Sequence, residues 1–322
     1  MVARGEIFVF NNSVLAEPGM AIDTVHDERH ALPDSPFSRE SIPYIVVLPE
    51  HGIAFFTYTW VTGDSVAGAA LAVFGPGVGD APIQQRLADR PVPADMGFDD
   101  WRIDSFRMAQ DLKFDHAQIF WETPEATVDF SFEAFHPPYS YGADPRGCPT
   151  YCANDRIEQS GRARGTLRLG DRVIEFDATG HRDHSWGTRD WVPFQQYEWF
   201  VGQVGSDIAV HFWHFHALGK EHRRGYVFKD GLMSRVETID VDVDYDDQYR
   251  QTGYRAELVD AAGRTTRIEA EVFDTYLLAP DPSISLIESG ARAVIDGKAG
   301  VGWMECAWPT DYLAHIRANG PY

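Results

Sequence analysis

The chain has 322 residues, 44% of them hydrophobic and 24% charged, which is the balance of an ordinary globular protein and long enough for two domains. A formal net charge of −21 repels phosphate backbones and anionic membrane surfaces, so nucleic acid is not expected as a partner. Three cysteines, an odd number, argue against a disulfide framework, and Cys148 and Cys152 in Cys-Pro-Thr-Tyr-Cys have no second pair to complete a zinc site, so they read as free thiols in a loop. The N-terminal Met1-Val-Ala-Arg-Gly-Glu-Ile-Phe-Val-Phe10 lacks a signal peptide's apolar core, and no stretch supplies the roughly 20 apolar residues of a membrane helix. A cytoplasmic location without an integral membrane segment is expected.

In chain order, Phe55-Phe-Thr-Tyr-Thr-Trp60 is dense in aromatic residues and reads as core, with the capacity to extend a hydrophobic pocket. Residues 75–93 read as a long surface loop, a common place for a lid, with a short helix over 81–88. Within it Gly75-Pro-Gly-Val-Gly79 is not followed by Lys and lacks a strand–helix frame, which disfavours ATP, nicotinamide and flavin. Over 128–135 the apolar residues Val128, Phe130, Phe132 and Ala134 alternate with polar ones, as a half-buried strand requires. Residues 141–161, rich in Gly, Pro, Asp and Arg, predict the domain boundary and divide the chain into 1–155 and 156–322.

Further on, Ile239-Asp-Val-Asp-Val-Asp-Tyr-Asp246 points its acids one way and its apolar residues the other, a solvated strand face rather than a calcium loop. Gly170-Asp171, Lys229-Asp230-Gly231, Ala261-Ala262-Gly263 and Asp296-Gly297 sit between β-rich runs as hairpin turns. A second short helix is predicted over 310–318. The predicted fold is all-β, two consecutive antiparallel barrel or sandwich domains, because closure removes exposed strand edges.

Chemistry concentrates in Gly180-His-Arg-Asp-His-Ser-Trp-Gly-Thr-Arg-Asp-Trp191, followed by Tyr197-Glu-Trp-Phe200 and His211-Phe-Trp-His-Phe-His216. Adjacent strands of a meander would bring the three segments into one barrel interior. Asp183-His-Ser-Trp-Gly187 with Tyr197-Glu-Trp-Phe200 resembles the second domain of the carotenoid 1,2-hydratase-like family of two lipocalin-like barrels, which fungal kievitone hydratase and pericyclase-type cyclases resemble more distantly. The resemblance in segment order covers most of the chain, and sharp similarity is confined to about residues 160–230. It implies a large hydrophobic ligand and carries over His184 and Trp186 from a His-x-Trp element. The family's Tyr-x-Asp element has only a loose echo in Tyr197-Glu198.

The residues themselves suit cofactor-free acid–base chemistry (hydration, dehydration, isomerisation or cyclisation), and the ligand class that the resemblance implies points to an isoprenoid, steroid or polycyclic aromatic compound. Asp183 or Glu198 would donate the proton if burial raised its pKa, and His184 would orient the acid or take a proton. Trp186, Tyr197 and Trp199 would face a developing cation, with His214 and His216 also lining the cavity. In a regular strand Arg182, His184 and Trp186 share one face and His181, Asp183 and Ser185 the other. Either a bulge near Gly187 re-aims the strand, or Asp183 lies behind the cavity and pairs with an arginine such as Arg189. The plain structural alternative for the whole segment is an Asp–Arg pair beside a core Trp. A carrier that holds such ligands unchanged is the main functional alternative. The third is a cupin-like metal-dependent oxygenase, from His214-Phe-His216 and Glu221, although the later cupin segment with its Pro, Gly and third histidine is absent. His26, His30, His51, His116 and His136 show no recognisable spacing.

Overall fold

The computed structural model describes residues 8–10, 14–16 and 20–320 and divides into two compact units. Met1–Leu48, Phe55–Val73 and Ala81–Arg189 form the first; Pro49–Ala54, Phe74–Asp80 and Asp190–Tyr322 form the second.

The first half of the chain supplies β1 (Phe8–Phe10), β2 (Val14–Ala16), β3 (Ser38–Leu48), β4 (Ile53–Thr62), β5 (Val66–Phe74), β6 (Ile83–Pro91), β7 (Trp101–Ile103), β8 (Phe106–Gln110), β9 (His116–Glu122), β10 (Ala126–Ala134), β11 (Tyr139–Ser140), β12 (Asp155–Leu169) and β13 (Arg172–Thr188). Strands β3 to β13 form one sheet in the order β6-β5-β4-β3-β13-β12-β10-β9-β8-β7, with β11 on β12; β1 pairs with β2 outside it. Strand β10 buries Ala126, Val128, Phe130, Phe132 and Ala134 and exposes Asp129 and Glu133, the predicted alternation. Phe130 meets the Phe55 ring edge-on at 5.8 Å and Phe176 at 6.1 Å, so this aromatic content is core.

The second half supplies β14 (Phe194–Val204), β15 (Ile208–Ala217), β16 (Lys220–Lys229), β17 (Leu232–Tyr245), β18 (Gln251–Asp260), β19 (Thr265–Asp281), β20 (Ile284–Ile295), β21 (Lys298–Pro309) and α1 (Thr310–Asn319). The order β17-β16-β15-β14-β21-β20-β19-β18 closes on itself because β18 also pairs with β17. Phe200, Phe212, Val236, Leu258 and Met304 belong to the packed core of this unit. On β17 Asp240, Asp242 and Asp244 are exposed, while Ile239, Val241, Val243 and Tyr245 pack on that core. Asp230 and Gly231 have φ of 54° and 71°, and Asp296 and Gly297 have 49° and 77°, the paired positive values of a tight two-residue hairpin turn. Helix α1 forms where predicted and buries Leu313 and Ile316 against Ile287.

Three expectations are corrected. Residues 156–189 belong to the first unit, because β12 pairs with β10 and β13 pairs with β3; the division falls after Arg189, not at 155/156. Residues 83–91 form strand β6, since pairing with β5 overrides a weak helical pattern, and this also shortens the loop expected over 75–93. The segment containing Asp183 does not join the segments at 197–200 and 211–216 in one barrel: β13 is flanked by β12 and β3, whereas β14 and β15 lie in the other sheet. Among the described residues no helix is long and apolar enough to cross a membrane.

Candidate active site

Strand β13 keeps its pairing register with β12 from Arg172 to Trp186, so the pleat is unbroken through the unusual segment. On one face lie Arg182, His184 and Trp186, beside Ile157 and Gln159 of β12 and Glu40 and Tyr44 of β3. This face is covered by the segment from Met20 to Leu32, whose single turn of 3-10 helix (Thr24–Asp27) is capped by the Asp23 side chain, 3.0 Å from the Val25 N–H. Asp27, fully buried, fastens that segment: its carboxylate accepts from Arg182 Nη1 at 2.9 Å, from Gln110 Nε2 at 2.8 Å and from the Phe114 N–H at 2.8 Å.

Anchored in this way, the segment delivers His26 and His30 to the strand face. Glu40, also fully buried, accepts from His30 Nδ1 at 2.7 Å, the His30 backbone N–H at 2.9 Å and His184 Nε2 at 2.7 Å. His26 Nδ1 lies 3.2 Å from His30 Nε2. The rings are held flat: His30 stacks on Trp186 with centroids 3.8 Å apart and planes 6° apart, and His26 stacks on Trp186 at 5.3 Å. Phe98 meets His184 edge-on at 5.5 Å.

Burial pushes the Glu40 carboxyl upward, but the hydrogen bonds from His184 and His30 outweigh it and hold Glu40 below the usual carboxylate value. For His184 burial wins and lowers the imidazole, against the pull of Glu40. An ionised Glu40 can only accept, so it fixes both tautomers: His184 donates through Nε2–H and His30 through Nδ1–H. His184 Nδ1 is then a buried lone pair, and it has no hydrogen-bond partner among the described residues. His30 Nε2 is left to accept from His26. Buried carboxylate, fixed imidazoles and a partly exposed terminal histidine form a chain able to take and return a proton.

His30 also borders a cleft of about 540 Å³ lined by Leu32, Met96, Phe98 and Leu112 among apolar residues and by Glu28, Arg29 and Asp99 among charged ones. Arg29 ties down the cleft's loop, donating to the carbonyls of Pro93 at 3.0 Å and Met96 at 3.1 Å and to Ser65 Oγ at 3.0 Å. His30, Glu40 and His184 each offer a ligand atom within 4.8 Å of the others, which is also the reach of a divalent cation. His214 and His216 form no such set of three among the described residues.

The other sequence-derived residues fall elsewhere. Asp183 points to the opposite face and pairs with Arg156 at 2.9 Å; Arg156 also holds Glu158 at 2.5 Å, and Glu158 holds His181 at 2.8 Å. The arginine that the structure pairs with Asp183 is Arg156 of β12. Glu198 accepts from His214 Nδ1 at 3.0 Å and Gln196 at 2.5 Å, and His214 Nε2 reaches Glu221 at 2.8 Å. The rings of His214 and His216 lie 5.3 Å apart. On the other face of β14, Tyr197 donates to Glu305 and meets Trp213 edge-on at 5.4 Å, while Trp199 lies 5.3 Å from the His211 ring. The structure thus joins His184 and Trp186 with His26, His30 and Glu40, and places Glu198, Tyr197, Trp199, His214 and His216 in the second unit. His26, His30 and Glu40 were missed by the sequence reading, because their roles depend on the docking of their segments against β13.

The buried histidines set a pH dependence. Burial lowers His136, His181 and His184 from the ordinary value of 6.5, His136 to about 3. His136 is locked neutral, donating from Nδ1 to the Pro137 carbonyl at 2.7 Å and accepting the Ser160 N–H on Nε2 at 3.1 Å. A depressed folded value means that stability is complete above 6.5 and is lost as pH falls, because the unfolded chain binds the extra protons. His214 has the opposite sign: Glu198 and Glu221 overcome burial and raise it, so its contribution is complete below 6.5 and fades as pH rises through the folded value. Denaturant melts of the first unit, followed by hydrogen exchange, are expected to weaken by about 1.4 kcal/mol per pH unit for each histidine kept neutral. A flat profile between pH 6.5 and about 5.5, above the ordinary glutamate value of 4.5, would contradict the assigned tautomers.

Solved structures resemble this one over most of its length. A Nitrosomonas europaea protein assigned as AttH superimposes with a TM-score of 0.63 at 14% identity, covering 84% of this chain and 92% of its own. CghA bound to Sch210972 gives 0.61 at 13%, covering 85% and 89%. Kievitone hydratase from Nectria haematococca gives 0.59 at 10%, covering 89% and 93%. At such identities the likeness establishes the fold alone, which is lipocalin-like. No curated protein matches the sequence. Residues 23–310 match the family model described as Domain of unknown function (DUF7064), a span that includes the whole His26–His30–Glu40–His184 network, and the chain belongs to that family.

Proposed function

We propose that this protein is a cofactor-free acid–base enzyme, a hydratase or dehydratase, isomerase or cyclase, acting on a hydrophobic small molecule. The observation that carries the reading is Glu40, a fully buried carboxylate shared by two imidazoles, one of which borders a cleft of ligand size. The fold shared with kievitone hydratase and with CghA, which was solved with Sch210972, supports a small-molecule substrate.

The protonation states narrow the chemistry. Glu40 is held ionised, so the proton reaches the substrate from an imidazolium and not from a carboxylic acid. An imidazolium is too weak an acid for an isolated alkene, and it suits a double bond polarised by a conjugated carbonyl or a phenolic oxygen. His30 acts at the cleft, Glu40 balances the charge on it, and Trp186 fixes its plane.

Titration with isoprenoid, steroid and polycyclic aromatic compounds carrying such an oxygen is expected to change tryptophan fluorescence saturably, less so in Trp186→Phe. At least one compound should gain or lose water, or isomerise, with protein purified untagged and holding well under one transition metal per chain. Saturable binding with no product from any ligand would favour a carrier. Near-stoichiometric metal on His30, Glu40 and His184 would replace the cofactor-free reading with a metal-dependent one.

A further inference from the structure

Cys148 and Cys152 lie in the first unit, outside the His–Glu network, and the fold brings them together. Residues 149–152 make a tight turn in which the Pro149 carbonyl accepts the Cys152 N–H at 2.8 Å and the Ala153 N–H at 3.2 Å. The Cys148 Sγ lies 4.0 Å from the same carbonyl oxygen, so the Cys148 side chain folds back over the turn that carries Cys152. Their accessibility differs: Cys148 is half-buried and Cys152 is buried, and both are free thiols here. Their charge environment differs as well. The Cys148 thiol donates a hydrogen bond to the Cys152 sulfur, and this bond, with Arg189 and Arg156 nearby, lowers Cys152 against the opposing effect of burial. The same bond raises Cys148.

We propose that Cys148 and Cys152 are a reversible dithiol–disulfide pair, oxidised by exchange with a small-molecule disulfide such as oxidised glutathione. The pair first loses one proton to water; Cys152 holds the remaining proton, and Cys148, the accessible sulfur, attacks one sulfur of the oxidant as a thiolate, forming a mixed disulfide and releasing the first glutathione thiolate. Cys152 then gives up its proton to that thiolate and attacks the Cys148 sulfur, releasing the second glutathione as a thiolate, which takes a proton from water at neutral pH. Two electrons pass from the protein thiols to the oxidant, one protein S–S bond forms and one glutathione S–S bond breaks. The ring closed is small and lies across a turn that already exists, so it asks little of the backbone.

The test is incubation of the folded protein with oxidised glutathione, followed by thiol titration and mass mapping of the peptide containing both cysteines. Wild type is expected to lose two of its three titratable thiols, as measured after denaturation, to lose two hydrogens from that peptide, and to recover fully with dithiothreitol. Cys152→Ser should halt at a glutathione adduct on Cys148, and Cys148→Ser should react at least tenfold more slowly, with melting curves confirming that both variants fold. A stable adduct on Cys148 in the wild type, a disulfide between two chains, or unreacted thiols in folded protein would each overturn the proposal.

Discussion

Asp27→Asn is expected to lower the stability of the first unit by about 3–5 kcal/mol, because it strands the Arg182 guanidinium in the interior. Arg182 is buried, and Asp27 is its carboxylate partner at 2.9 Å; the Gln159 side-chain oxygen at 3.0 Å is a neutral acceptor and cannot replace the charge. An amide at position 27 keeps the size and loses the charge, and it cannot satisfy Arg182, Gln110 and the Phe114 N–H together. For a unit of this size each kcal/mol moves the melting midpoint by about 2–4 °C. The double variant Asp27→Asn with Arg182→Met removes the stranded charge and should recover much of the loss. Both are measured by thermal and urea melts. A single variant within about 1 kcal/mol of wild type, or a double variant less stable than the single, would contradict the buried pair. Since Asp27 also anchors the segment that presents His26 and His30, the single variant should blunt catalysis through position as well as through stability.

What the sequence disclosed was what local physics decides. Alternation located β10 and the acidic face of β17, because burial on one face of a sheet imposes a period of two. The turns at Asp230-Gly231 and Asp296-Gly297 were legible because a two-residue hairpin needs positive φ at both positions. The pleat also separated His184 from Asp183, and the paired strands kept that separation. Long-range pairing was not legible. Glu40 stands opposite Trp186 only because β3 docks on β13, a contact between distant segments that neither segment encodes alone. The loop before β12 has the composition of a linker, yet the strand after it pairs with β10 and holds the chain in the first unit. His30 was passed over for the same reason: its role comes from Asp27 and Glu40, which hold its segment against the sheet. Glu198 and His214, read separately as a proton donor and a cavity-lining residue, lie 3.0 Å apart in the unit whose strands close around a packed core.

The two carboxylates therefore provide the sharpest comparison. Glu40→Gln keeps nearly the same volume but replaces an anion that accepts three N–H groups with an amide that must itself donate. The His30 imidazolium loses the charge that balances it, and His184 loses the acceptor that fixes its tautomer. With cleft residues such as Phe98 and Met96 untouched, ligand affinity should persist while the rate of product formation falls by about 10²–10⁴. Glu198→Gln and Asp183→Asn alter groups outside this network and should turn over within a few-fold of wild type, the latter with reduced stability because Arg156 loses a partner. The decisive measurement is the single-turnover rate of Glu40→Gln beside that of Glu198→Gln, on the same substrate and with binding confirmed for each. The account predicts that the first collapses and the second survives; a Glu40→Gln enzyme working at the wild-type rate while Glu198→Gln is dead would contradict it.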